Sequence, residues 1–164
     1  MNTIKTASIL AAAVLGLGLC SAQAAGTDTS SMPVQIVITN ACNVSAVAPT
    51  TMDFGTRGLL NANFDATSTI TVTCTTGAGY TVALNGGGGG NINARRMING
   101  ANNVGYQLYK ESARTTIWGD AGAATVAGTG NGTAQTLTVY GRVASQTTPP
   151  AGTYTDSVTV TVTY

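Results

Sequence analysis

The final stretch of the chain, YTDSVTVTVTY, alternates without a break. Val158, Val160, Val162 and Tyr164 fall on one face of an extended backbone, and Ser157, Thr159, Thr161 and Thr163 on the other. A strand with one buried and one wet face requires this period of two. The pattern recurs: Ile70, Val72 and Cys74 in ATSTITVTCTT, Tyr80, Val82 and Leu84 in YTVALN, Val104, Tyr106 and Leu108 in VGYQLYK, and Leu137, Val139 and Val143 in TLTVYGRV. No window sustains a 3.6-residue apolar period. Threonine is abundant, whereas Lys110 and Glu111 are the only lysine and glutamate beyond residue 24, so good helix formers are scarce and β-formers plentiful. Between the alternating runs lie LNGGGGGN, INGANN, AGTGNGT and TTPPAG, all rich in turn formers. Roughly seven or eight short strands joined in this way predict an all-β antiparallel sandwich of one domain.

The chain opens with a different signature. Lys5 precedes an apolar run from Ile9 to Leu19, and Ala22-Gln23-Ala24 offers small residues for a signal peptidase. The run is shorter than the about 20 residues of a spanning helix. Residues 1–24 therefore read as a signal peptide, and export to the periplasm follows. Cys20 stands after Leu19, where a lipid anchor wants a small residue, so cleavage after Ala24 is preferred to lipidation. Cys42 and Cys74 then remain. Two cysteines in an exported chain read as one disulfide, with a pair of free thiols as the alternative.

Charge excludes several partners. One of the seven basic residues, Lys5, lies in the leader; the others, Arg57, Arg95, Arg96, Lys110, Arg114 and Arg142, balance six acids. There is no basic stripe, so neither nucleic acid nor, once the leader is gone, a membrane is expected as a partner. So little net charge offers little resistance to self-association.

The residues that invite a chemical reading carry weak signals. Gly86 to Gly90 lack the Lys-Ser/Thr and the helix of a phosphate cradle, and read as a flexible hairpin loop. Without histidine there is no Ser–His–acid triad and no His-ligated metal. Glu111 and Asp120 flank a turn expected around Trp118 and could form a glycosidase-like pair, but solvated hairpin charges are the simpler reading. No catalytic residue, metal ligand or cofactor is assigned. Tyr154, after PPAG, suits a tyrosine corner, hydrogen-bonding back across the preceding bend. Tyr106, Tyr109 and Trp118 read as core or rim aromatics, with a sugar-stacking platform as the alternative. Arg95-Arg96 reads as a solvated loop boundary.

One further stretch, SSMPVQIVITN, places Met32, Val34, Ile36 and Ile38 on one face of a strand and Pro33, Gln35, Val37 and Thr39 on the other. Periodicity does not say whether this strand joins its own sheet or a neighbour's.

Taken in order, ACNV around Cys42, MDFGT at 52–56, ITVTC at Cys74, YQLYKESARTTIWGD at 106–120, LTVYGRV at 137–143 and GTYTDSVTVTVTY at 152–164 resemble the spore coat protein U family, which includes subunits of archaic (Csu-type) chaperone–usher pili. The resemblance implies an incomplete immunoglobulin-like β-sandwich that lacks one strand and is completed by donor-strand exchange. It implies a donor segment over 25–40, with Met32, Val34, Ile36 and Ile38 as the inserted side chains, and a pilin domain over 41–164. Val158, Val160, Val162 and Tyr164 in the last strand would border the groove that a chaperone fills first. The implied partners are a periplasmic chaperone, an outer-membrane usher and identical or related subunits. The implied function is a non-enzymatic subunit of a cell-surface pilus for attachment and biofilm formation. The alternatives are a monomeric lectin-like binding module and a protein of an extracellular or spore coat.

Overall fold

The computed structural model describes residues 26–44 and 50–164; the expected signal peptide lies outside them. Val37–Tyr164 form one compact unit, which carries both sheets. The strands are β1 (Cys42–Val44), β2 (Phe64–Cys74), β3 (Gly79–Leu84), β4 (Arg95–Asn99), β5 (Asn102–Tyr109), β6 (Val126–Thr129), β7 (Ala134–Val143) and β8 (Val160–Thr163). Two short 3-10 turns, Gly87–Gly89 and Gly122–Ala124, complete the inventory. The described residues contain no α-helix.

All pairings are antiparallel. One sheet runs β1-β2-β7-β5-β4 and the other β6-β3-β8. The inward faces meet in a core built from the alternating positions: Ile70, Val72 and Cys74 of β2, Tyr80, Val82 and Leu84 of β3, Val104, Tyr106 and Leu108 of β5, and Val139 and Val143 of β7. Threonines occupy the opposite face of β2, where Thr69 stands across from Thr138 and Thr71 from Thr136. From Thr69 to Cys74 the pleat sorts apolar from hydroxyl side chains at every step, and Ser68 is the one hydroxyl on the inward face of β2.

Cys42 and Cys74 stand opposite each other in the β1–β2 ladder and are joined by a disulfide with an S–S distance of 2.04 Å. The hairpin between β4 and β5 turns on Gly100-Ala101, and Gly100 takes φ +58°, a conformation that suits glycine. The other sharp turn near β5 precedes Trp118 rather than surrounding it. Glu111 accepts the backbone N–H groups of Thr115 and Thr116, both at 2.7 Å, and closes a loop over 110–116. Trp118 itself is 1 % exposed and donates its indole N–H to the Val82 carbonyl at 2.9 Å.

Two stretches depart from the expected strands. SSMPVQIVITN forms no strand in the structure, and residues 26–41 are exposed throughout. Among the described residues its alternation finds no ladder partner, although the Thr39 carbonyl accepts from Thr75 Oγ1 at 3.3 Å. The final stretch shows continuous strand only over Val160–Thr163, preceded by a single bridge between Thr155 and Ile98. It begins beside β4 of one sheet and ends beside β3 of the other, and the ladder is interrupted where it crosses. Its side-chain alternation nevertheless persists from Tyr154 to Thr163.

Candidate functional site

Among the described residues, β8 is the edge of its sheet, with β3 on one side and no strand on the other. The inward positions of this last segment, Tyr154, Asp156, Val158, Val160 and Val162, are only half-buried, although the equivalent positions of β3 are closed off completely. The difference arises because an open cleft runs along the flank of the last segment. Two adjoining cavities of about 640 and 610 Å³ make up the cleft and share Met52, Phe54, Met97 and Tyr154 in their walls.

The opposite wall is the extended segment Thr50–Gly58. Thr50 ties it to β2: its N–H reaches the Thr69 carbonyl at 3.2 Å, and Ser68 Oγ donates to the Thr50 carbonyl. Beyond that anchor the segment alternates, with Met52 and Phe54 half-buried and Thr51, Asp53 and Gly55 exposed. Gly141 makes room for the two side chains. A Cβ at that position would stand 2.6 Å from Met52 Sδ and 3.0 Å from Phe54 Cζ, closer than carbon contacts allow. The floor of the cleft includes Ile70, Leu84, Leu108 and Val139. It is therefore apolar core reached from outside, bounded by a strand with an unused backbone edge.

One polar cluster interrupts it. Asp156 accepts the Tyr106 hydroxyl at 2.7 Å on Oδ2, and the N–H groups of Gly88 and Ser157 at 2.8 Å each on Oδ1. Burial, reinforced by the Asp156 bond, pushes the Tyr106 hydroxyl far above the usual phenol range, so it stays protonated and donates. The Gly88 contact also pins the glycine loop, which the sequence had suggested as flexible, to the last segment.

Behind the cluster lies Arg95, and here the expectation of a solvated loop boundary is wrong. Arg95 is 1 % exposed. Its guanidinium donates to the carbonyls of Asn85 (2.9 Å), Leu84 (2.9 Å), Trp118 (2.7 Å) and Ile92 (3.5 Å), and to Gln107 Oε1 (2.6 Å). Burial pushes its pKa down from the ordinary value. Arg96, one step along β4, points outward. The signal was parity: Arg95 shares its face with Met97 and stands opposite the buried Tyr106. A further carboxylate serves structure as well. Asp65 holds Arg142 at 2.7 and 2.8 Å, which lowers its pKa, and Arg114 approaches at 3.3 Å.

The residues singled out in the sequence are placed as follows. Val158 and Val160 line the cleft. Val162 packs against the core beside β3, and Tyr164 is 61 % exposed. Tyr154 donates its hydroxyl to the Pro150 carbonyl at 2.8 Å, across the bend that opens the last segment. Met32, Val34, Ile36 and Ile38 are all exposed. Trp118 and Tyr106 are buried, so neither offers a face for sugar stacking. Met52 and Phe54 were missed as a wall of the cleft, although MDFGT shows the same alternation on a shorter scale.

The Spore Coat Protein U domain profile matches residues 28–161, most of the chain. The chain belongs to the spore coat protein U domain family. This spore coat protein U domain is 29 % identical over 179 residues to Protein U of Myxococcus xanthus, an alignment that covers 100 % of both chains. It also matches a chain of the CsuC–CsuE chaperone–tip adhesion subunit pre-assembly complex from the archaic chaperone–usher Csu pili of Acinetobacter baumannii. That likeness has a TM-score of 0.53 and 26 % identity, covering 77 % of this chain and 40 % of the solved one. The fold is accordingly the all-β, immunoglobulin-like sandwich that the sequence resemblance implies, shared with a chaperone–usher pilus subunit.

Proposed function

We propose that this protein is a structural subunit of a surface pilus assembled by a chaperone–usher system, and that it polymerises by donating residues 32–38 to the cleft of the next subunit. The observation that carries the reading is the coexistence, in one chain, of an apolar cleft beside an unpaired strand edge and an exposed segment of matching period. Strand addition to such an edge supplies main-chain bonds and seats alternate side chains in pockets. Burying Met32, Val34, Ile36 and Ile38 contributes roughly 6–12 kcal/mol gross, at about 1.5–3 kcal/mol per side chain. The solved complex named above pairs a chaperone with a pilus subunit. A chaperone covering the same edge before assembly would keep the exported subunit from aggregating. The attached pilus would serve adhesion and biofilm formation.

The test compares the mature chain with a version beginning at Asn40, on unboiled denaturing gels and by electron microscopy. Detergent-resistant ladders and thin fibres from the intact chain alone are expected. A stable intact monomer, with a truncated version that merely unfolds, would return the segment to its own sandwich and sink the donor reading.

A further inference from the structure

The cleft dictates not only that a strand enters but how that strand must lie. In the last segment the odd positions spend their backbone groups on the molecule itself. Thr155 exchanges bonds with Ile98 at 2.8 and 3.2 Å, the Thr159 carbonyl takes the Asn85 N–H at 3.1 Å, and Thr161 and Thr163 stand opposite Ala83 and Thr81 in the β3 ladder. Successive residues of an extended chain point their N–H and C=O to opposite edges. Asp156, Val158, Val160 and Val162 therefore turn their backbone groups to the open side, while their side chains point inward.

An antiparallel newcomer bonds residue to residue, and directly opposed residues share a face. Its inward residues would then be the ones bonded to this edge. For the segment MPVQIVITN these are Met32, Val34, Ile36, Ile38 and Asn40, and Pro33, which has no N–H, faces away from β8. In a parallel pair the bonding residues lie opposite positions turned away, so Pro33 would face the edge and break the ladder. Polarity completes the match. The inward series on the last segment is Asp156, Val158, Val160 and Val162, followed at the same parity by the exposed Tyr164; read in the opposite direction, the incoming series is Asn40, Ile38, Ile36, Val34 and Met32.

We infer that a second copy of this chain enters in the single register that sets its Asn40 opposite Asp156, and that Asp156 is the residue that selects this register. The inference rests on the reading of residues 32–38 as a donor segment. A carboxylate has about four acceptor sites. Asp156 uses three of them, on Tyr106, Gly88 and Ser157, and the Asn40 amide can fill the fourth. A slip of two residues one way lays Ile38 over the carboxylate. A slip the other way would require Cys42, which is held in β1 by Cys74.

In this register Gln35 lies opposite Thr161, both side chains outward and exposed. They form a non-hydrogen-bonded pair with Cα atoms about 4.5 Å apart, within disulfide range. Full-length Gln35→Cys/Thr161→Cys is compared with Gln35→Cys/Thr159→Cys and Gln35→Cys/Thr163→Cys, the two slipped registers, on boiled non-reducing gels. Covalent ladders from the Thr161 pairing are expected to exceed the others by at least about tenfold, the factor that a covered, unpaired polar group commands. Equal or greater cross-linking through Thr159 or Thr163 overturns the register. Because the unsubstituted chain is run unboiled alongside, absence of any ladder there overturns the donor reading itself. Adding Asp156→Val should let the Thr159 pair approach the Thr161 yield and leave the Thr163 pair, which Cys42 blocks, low, whereas Asp156→Asn, which keeps an acceptor, should preserve the preference. An undiminished preference in a folded Asp156→Val chain removes Asp156 from the role.

Discussion

Removing the Arg95 guanidinium would take a donor from the carbonyls of Leu84, Asn85 and Trp118 around a 1 % exposed position, whereas the Ile92 carbonyl keeps the Gln107 amide and Gln107 Oε1 keeps the Leu108 N–H. Each unsatisfied buried acceptor costs about 1–3 kcal/mol. Arg95→Ala is therefore expected to lower the unfolding free energy by about 3 kcal/mol or more, read as a fall in the urea midpoint of the full-length chain. Arg95→Lys keeps the charge but offers three donors without the planar fork, and should fall between the two. A change within the range of surface substitutions, about 0.5 kcal/mol, would show that the fork does not hold these segments together. At this scale the sequence was least legible. Two adjacent arginines after a glycine run look like a solvated boundary, because charge is ordinarily kept at the surface. Only the position of Arg95 on the Met97 face of β4 betrays it, and that face becomes visible once β4 is paired with β5 in the register that sets Arg95 against Tyr106. Asp156 poses the same difficulty: an acid at an inward position reads as an error in the alternation until its three donors are seen.

Strands were the legible level. Ile70, Val72 and Cys74, or Tyr80, Val82 and Leu84, could be assigned inward from the sequence, because a one-residue slip would turn every threonine into the core. What alternation does not encode is the partner. The final segment keeps its period across a change from β4 to β3, and MPVQIVIT keeps its period without joining a ladder at all. The covalent tie between elements was legible as well, since the two cysteines beyond the expected leader leave one pairing. It fastens β1, a strand of 3 residues, to β2 over a separation of 32 positions. Closing a loop of that length constrains the unfolded chain by about 3–4 kcal/mol. The double variant Cys42→Ser/Cys74→Ser is expected to lose about that much in urea unfolding. Because β1 continues from the residues proposed as donor, the bridge also fixes where the donor arm leaves the body. A loss below about 1 kcal/mol would mean that the ladder registers of β1 hold the strand without the bridge.

At the scale of the molecule, the proposed assembly would draw on donor side chains that the subunit's own core does not use, and this can be tested directly. Ile36 is 83 % exposed in its own chain, whereas Val158 and Val160 are half-buried and packed against the core. A charge at Ile36 therefore costs its own subunit little, within about 0.5 kcal/mol. In the cleft of a neighbour the same carboxylate would be taken out of water between Leu84, Val160 and their surroundings without a cation to meet it, an unfavourable transfer. Ile36→Asp should accordingly unfold at the same urea concentration as the unsubstituted monomer and yet form no detergent-resistant ladder. Its own cleft is unaltered, so it should still accept a donor from an unsubstituted copy. Head-to-tail contacts that do not close on themselves build open fibres, and a subunit that accepts but cannot donate ends one. Mixing Ile36→Asp with unsubstituted protein should shorten fibres in proportion to its share, as counted by electron microscopy. If the variant instead unfolds early, Ile36 belongs to its own sandwich; if it polymerises normally, another segment fills the cleft.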